Sequence, residues 1–385
     1  MAPAARLRLF YLLYYGNVGA YLPYFAAYLR GLGFTGEQIG AVMMLPALVG
    51  PAVAVAWAAW ADRRAAPSRA LRRATAWAAA CALALPLART PAAMGAVLLA
   101  QALGDRAAIP LVDSSTLEWC RADPVHSYAR IRLFGSMGFI ALSVGLGLAL
   151  SARGDRPADL LVPLAVVVCV AGYAGTARSL PPVPAHPGPR PGLADVGALL
   201  RDRAFLALVA VCGIHWAACA PFHLLFGVFV RERGLPAGVT GAGMAVGVAA
   251  ELAALLAFPR LERRMEVPAL FAVAFAGSAA RWALMSRTVN PAAIVSLQLL
   301  HGLTFGLFWG TAMKALGAAV PPRLRATGQA LFSAAALGCA NALGYFLAGM
   351  GYDRFGSVAP LFAWAAVLEI VPLALAWRWT RKPQP

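Results

Sequence analysis

The stretch RSLPPVPAHPGPRPG, residues 178–192, interrupts an otherwise apolar chain. Pro181, Pro182, Pro184, Pro187, Pro189 and Pro191 lie within it, a composition that breaks helices and favours an extended strap. With the polar residues up to Arg203 it forms the one long polar gap, 178–203. Apolar windows bounded by charge or by Pro and Gly give six helices before that gap, near 9–29, 38–60, 72–88, 91–117, 131–150 and 160–177. Six more follow it, near 204–230, 237–258, 267–285, 289–312, 327–349 and 358–377. The expected fold is therefore an all-α polytopic membrane protein of twelve transmembrane helices. Residues 1–177 form one six-helix bundle, 178–203 a linker, and 204–385 a second bundle.

Composition supports the bilayer. Of 385 residues, 61% are hydrophobic and only 13% charged, against about 45–50% and about 25% in soluble domains. Twelve spans of roughly 20 residues consume about 240, leaving a dozen or so per connection. The net charge of +17 would suit nucleic acid, but its placement does not. Of 33 Lys and Arg, 21 fall in the termini and alternate loops, including Arg69, Arg72, Arg73, Arg201, Arg203, Arg260, Arg323 and Arg325. The opposite loops hold 8, and Arg106, Arg132, Arg281 and Lys314 lie within helices. This asymmetry follows the positive-inside rule: both termini and the linker face the cytoplasm, as in a bacterial inner-membrane protein with no nucleic-acid partner. The first span is too long and aromatic for a cleaved signal peptide. The six cysteines are scattered without a CxxC pair, so no disulfide or metal framework is expected.

The two halves echo each other. Ala20-Tyr21-Leu22-Pro23-Tyr24-Phe25 opens the first, Ala218-Cys219-Ala220-Pro221-Phe222-His223 the second. After the second helix of each comes a basic turn, Asp62-Arg63-Arg64 or Glu262-Arg263-Arg264. Charges inside helices demand a cavity or a partner, because each costs roughly 2.5–3.5 kcal/mol at a bilayer centre. They are Asp105, Arg106 and Asp113 on helix 4, Arg132 on helix 5, Glu251 on helix 8, Arg281 on helix 9 and Glu369 on helix 12, joined by His215, His223 and His301. Arg106 and Asp113, seven residues apart, share a helix face, and Arg132 is placed to pair with Asp113. Gly135 and Gly138 let helix 5 approach a neighbour closely. Glu369 has no charged company on its own helix and reads as structural.

Two parallel six-helix repeats describe the major facilitator architecture, and individual motifs resemble one branch of it. Gly19-Ala20-Tyr21-Leu22-Pro23-Tyr24-Phe25, Pro110-Leu-Val-Asp113, Arg130-Ile-Arg132-Leu-Phe-Gly135-Ser-Met-Gly138-Phe139, Glu251, Arg281 and Leu300-His301-Gly302 are similar to the lactose permease and phenylpropionate-type permeases. The resemblance implies that Asp113, Arg132 and Glu251 hold substrate, with Tyr21, Phe139 and His223 lining the pocket. It implies proton coupling through Glu251, Asp113, Arg281 and His301, and a gating role for Asp62, Arg63 and Arg64. Thr304 stands where the sugar permease carries a carboxylate, Gln298 where it has lysine, and His223 where it has aspartate. Asp105 and Arg106 are additional cavity charges.

The expected function is proton-coupled symport, an importer of a small organic solute with an aromatic or other carboxylate favoured. Arginine offers a carboxylate a bidentate fork. Sugar or nucleoside symport and efflux are the alternatives within transport. A non-transporting receptor and an intramembrane enzyme lie outside it; the sequence has no His-Glu-x-x-His, Gly-x-Ser-x-Gly or phosphate loop for the latter. No cofactor is expected; the partners are the solute, protons and lipid, around a monomer. For topology, a cysteine at Pro187 should resist an impermeant thiol reagent applied outside intact cells, while one at Arg156 should react; labelling at 187 would reverse the orientation.

Overall fold

The structure, a computed structural model, describes residues 2–64, 66–123, 125–180 and 193–380. Residues 181–192 of the expected linker lie outside them; the part that follows forms a short helix, Leu193–Leu199. The first six long helices are α1 (Pro3–Gly31), α2 (Gly36–Arg63), α3 (Pro67–Ala82), α4 (Pro91–Ala122), α5 (Tyr128–Ala152) and α6 (Leu161–Arg178). The second six are α7 (Arg203–Glu232), α8 (Ala237–Leu261), α9 (Val267–Met285), α10 (Pro291–Ala319), α11 (Thr327–Phe355) and α12 (Ala359–Trp377). Ten are long and apolar enough to cross a bilayer; the others are tyrosine-rich α1 and the 16-residue α3. Several run past their expected ends, α4 to Ala122 and α11 to Phe355, because a helix does not stop where the hydrocarbon does.

Two helices are irregular where it matters. α10 tightens to a 3₁₀ turn at Leu297–Leu300 and widens to a π turn at Gly302–Leu307. α11 carries a π turn at Ser333–Cys339. Such turns free carbonyls from the regular ladder and frequently mark functional positions. α12 is interrupted at Glu369.

α1 packs on α5 and α6, and α2 on α4. The small-residue spacing on α5 serves α1: a Cβ on Gly138 would collide with the Leu12 backbone. Across the halves α2 lies along α11 and α5 along α8. The α2–α11 crossing is equally tight, a Cβ on Gly40 falling 2.6 Å from the Tyr345 carbonyl oxygen.

Both cross-half contacts end in the same device, on the side away from the chain termini. Asp353, at the end of α11, accepts from the Gly36 and Glu37 backbone N–H groups that open α2, at 2.7 and 2.8 Å. Asp155, just after α5, accepts from Ala237 N–H at the start of α8 at 3.0 Å, and Ser151 accepts from Gly238 N–H at 3.0 Å. Each carboxylate satisfies orphan donors at the positive end of a helix from the other half. Asp155 holds a left-handed backbone, φ 49°, which aspartate tolerates better than most residues. Each carboxylate's charge at a helix N-terminus contributes about 0.3–1 kcal/mol, so Asp353→Asn combined with Asp155→Asn, which keeps both acceptor oxygens and removes both charges, should weaken this closure several-fold. A cysteine at Thr240, 1% exposed, should then react with maleimide several-fold faster; unchanged reactivity would show that the clamps do not hold this side shut.

Candidate substrate and proton site

Arg132 lies in the first turns of α5, its guanidinium carbon 3.8 Å from the centroid of the Tyr15 ring and 5.6 Å from that of Tyr11. Both tyrosines come from α1. The expected Arg132–Asp113 ion pair does not form within 4 Å among the described residues. Asp113 instead accepts the Tyr11 hydroxyl proton at 2.6 Å. Arg132 still feels the charges of both Asp113 and Glu251. It therefore lies in the electrostatic field of an acid of the first half and an acid of the second, steadied by aromatic faces.

From Glu251 a chain of side chains runs into the second half. The Glu251 carboxylate is 3.8 Å from His301 Nε2. His301 Nδ1 is 3.1 Å from an Arg281 terminal nitrogen, and the other terminal nitrogen of Arg281 donates to Gln298 Oε1. Arginine only donates, so His301 Nδ1 accepts; the neutral ring then carries its proton on Nε2, facing Glu251. Arg281 is fully buried, sandwiched 4.3 Å from Phe222 and 4.4 Å from Trp282. The lysine-to-glutamine departure at Gln298 thus leaves Arg281 a neutral acceptor. Gln298 in turn donates to Ile294 O at 2.7 Å.

Glu369 is not alone. His215 Nδ1 lies 2.8 and 2.9 Å from its two carboxylate oxygens, with both residues fully buried. His215 Nε2 lies 2.9 Å from the Thr304 carbonyl oxygen, on the π turn of α10. A carbonyl only accepts, so Nε2 carries a proton, and one further proton lies between Nδ1 and the carboxylate. Cys219 Sγ is 3.8 Å from Nε2. His215, Cys219 and Glu369 are close enough to meet a common metal ion, but the histidine's two nitrogens are already matched to acceptors.

A second feature lies beside this site along α1. A cavity of about 980 Å³ is bounded by α1, α2, α4 and α11, its walls including Tyr14, Asn17, Tyr21, Gln101, Asp105, Arg106, Asn341 and Tyr345. It reaches Ala58, Leu117 and Gln329, at the ends of α2 and α4 and the start of α11 on the side of the chain termini. Arg106 and Asp113 share one side of α4 yet serve different groups: Arg106 faces this cavity, Asp113 faces Tyr11. Asp105 accepts the Tyr173 hydroxyl proton at 2.7 Å. Tyr21 lines the cavity with its hydroxyl 3.0 Å from Met43 Sδ. Phe139 is buried, 7% exposed, in the apolar core and is absent from the cavity wall. His223 is half-buried against Trp216, ring centroids 5.2 Å apart. Asp62, Arg63 and Arg64 end α2 near Trp60, whose ring is 5.6 Å from Arg64 and 5.3 Å from Arg73.

Residues beyond the expected set also appear: Tyr11 and Tyr15, the amides Asn17, Gln101 and Asn341, and His215 as the partner of Glu369. The signal for the tyrosines was present in Tyr11-Leu-Leu-Tyr14-Tyr15, unusually polar for a span. The amides gave none, since uncharged residues raise no alarm in an apolar run.

The MFS_1 like family model matches residues 4–363. The chain belongs to that family. It is 25% identical over 356 residues to the "Probable 3-phenylpropionic acid transporter" of Escherichia coli K12, covering 91% of each chain. It is 22% identical to the "Uncharacterized transporter YwbF" of Bacillus subtilis 168, over 96% of this chain and 92% of that one. Among solved structures, a crystal structure of the nucleoside transporter NupG superposes with TM-score 0.88 at 17% identity, covering 99% of this chain and all of that one. This family member is a multi-pass membrane transporter of the major facilitator type rather than an enzyme.

The buried His215–Glu369 pair yields a stability prediction. Removing one partner strands the other without compensation, at roughly 3–5 kcal/mol. His215→Leu should therefore lower the melting temperature of the purified transporter strongly. The double variant His215→Leu/Glu369→Leu should recover most of the loss; equal destabilisation by both would mean packing, not charge, decides.

Proposed function

We propose that this transporter is a proton-coupled importer of small organic carboxylates, built as two bundles, 1–177 and 204–385, that rock about a shared site. The observation that carries this reading is Arg132, held on the Tyr15 ring of α1, in the electrostatic field of both Asp113 and Glu251. With both acids ionised, Arg132 is already compensated and an incoming carboxylate meets net negative charge. A proton on Glu251 removes one of those charges and leaves the guanidinium fork to the substrate. Binding of anion and proton then reinforce each other, as linkage requires. The chemical name of the E. coli relative, a carboxylic acid, supports the class.

Glu251 suits the proton better than His301 does. While Arg281 donates to His301 Nδ1, a second ring proton would point at an N–H group, so the histidine stays neutral and offers Nε2–H to Glu251. Asp113 is steadied in its anionic form by the Tyr11 hydroxyl. Thr304 has no proton to offer near neutral pH. Both termini face the cytoplasm of a bacterial inner membrane, and the protein works as a monomer. The cavity opens on the side of the termini and the clamps close the other, the arrangement of an inward-facing transporter.

Glu251→Gln is permanently neutral at the position that must gain a proton. The wild type should bind carboxylate more tightly as pH falls, and the variant should lose that dependence. In proteoliposomes Glu251→Gln should abolish gradient-driven accumulation of 3-phenylpropionate and keep substrate exchange. Normal accumulation would remove Glu251 from coupling.

A further inference from the structure

We propose that the cavity between α1, α2, α4 and α11 is itself a binding site, for a hydroxylated aromatic carboxylate anchored on Arg106. The proposal rests on the transport reading above for the carboxylate, and adds a second anchor and the hydroxyls. Arg106 is at the midpoint of α4 and is exposed to the cavity. Its chain lies in a notch of α2 left by Gly50, where a Cβ would come within 3.3 Å of Arg106 Cδ. No carboxylate lies within 4 Å of it among the described residues, and its neighbour Asp105 is engaged by Tyr173. Arg132 lies in the field of two acids; Arg106 is the cation left for an anionic ligand.

The hydroxyls follow from the amides. Asn17 and Gln101, each only 7% exposed, line this cavity, as does Asn341. The side-chain oxygens of all three are buried without a hydrogen-bond partner in the protein. An unmatched buried acceptor costs about 1–3 kcal/mol, and each amide recovers this by turning its head to a donor in the cavity. Tyr14, Tyr21 and Tyr345 supply aromatic wall around the same space. A volume of about 980 Å³ accommodates a ligand with one aromatic ring, pockets for such ligands running about 300–1,000 Å³. One cation, three acceptors and aromatic faces together select an aromatic acid that also carries O–H donors.

Calorimetric titration of the full-length protein in lipid nanodiscs tests this with 3-phenylpropionate, 3-(3,4-dihydroxyphenyl)propionate and the neutral amide of the latter. The dihydroxy acid should bind at least about fivefold more tightly than 3-phenylpropionate, and the neutral amide about tenfold more weakly than its acid, about 1.4 kcal/mol. Arg106→Gln should weaken both acids about tenfold, with Arg106→Lys between it and wild type. Gln101→Leu should bring the ratio between the two acids close to one. Wild-type affinity in Arg106→Gln, with binding lost in Arg132→Lys, would overturn this site while the transport reading stands. Binding of neither acid by wild type would overturn both. Should Arg106→Gln not yield folded protein, Gln101→Leu decides: a preference as large as wild type's overturns the proposal.

Discussion

Hydrocarbon does not solvate charge, and three arginines within the spans of this membrane protein answer that constraint in three ways. Arg281 is fully buried and spreads its charge over the rings of Phe222 and Trp282, His301 Nδ1 and the Gln298 carbonyl. Arg132 leans on Tyr15 and Tyr11 in the field of two acids from opposite halves. Arg106 faces a cavity. Only the last two leave a guanidinium able to exchange its partners, and substrate chemistry is to be sought at those. Charge with fixed partners holds a fold together, whereas charge with exchangeable partners lets a transporter bind and release.

The same logic separates the two acid–histidine contacts. His215 and Glu369 are in direct contact and fully buried, and the π turn of α10 gives the other ring nitrogen of His215 a carbonyl acceptor. That pair ties α7, α10 and α12 together. Glu251 and His301 are 3.8 Å apart and partly exposed. The looser contact is the one able to change state, and its neighbour Arg281 fixes which nitrogen of His301 faces it.

Closure of the far side reuses backbone electrostatics. α2 and α8 hold equivalent places in the two halves, and each presents its N–H groups to a carboxylate of the other half, Asp353 or Asp155. Such a contact is short, directional and surrounded by small residues, so it can be strong when seated and lost over a small separation. Within each half the helices also pack on one another, α1 on α5 and α6 and α2 on α4, so each bundle holds together when the halves separate.

The sequence by itself determined the helices, the tight α5 approach at Gly138 and the list of charges that needed company. These follow from local chemistry: apolar length, small-residue spacing, and the cost of a charge in lipid. It did not determine the partners. Asp113 met Tyr11 rather than Arg132, Glu369 met His215 from a helix more than 150 residues away, and Phe139 turned into the core. The irregular turns of α10 and the amides lining the Arg106 cavity were equally invisible. A partner across helices depends on rotation and depth, set by the packing of all the helices together, and one residue of rotation redirects a side chain by about 100°. Uncharged polar groups add a further reason: their cost is small enough to hide in an apolar span, and becomes visible only when the surrounding structure leaves them unmatched.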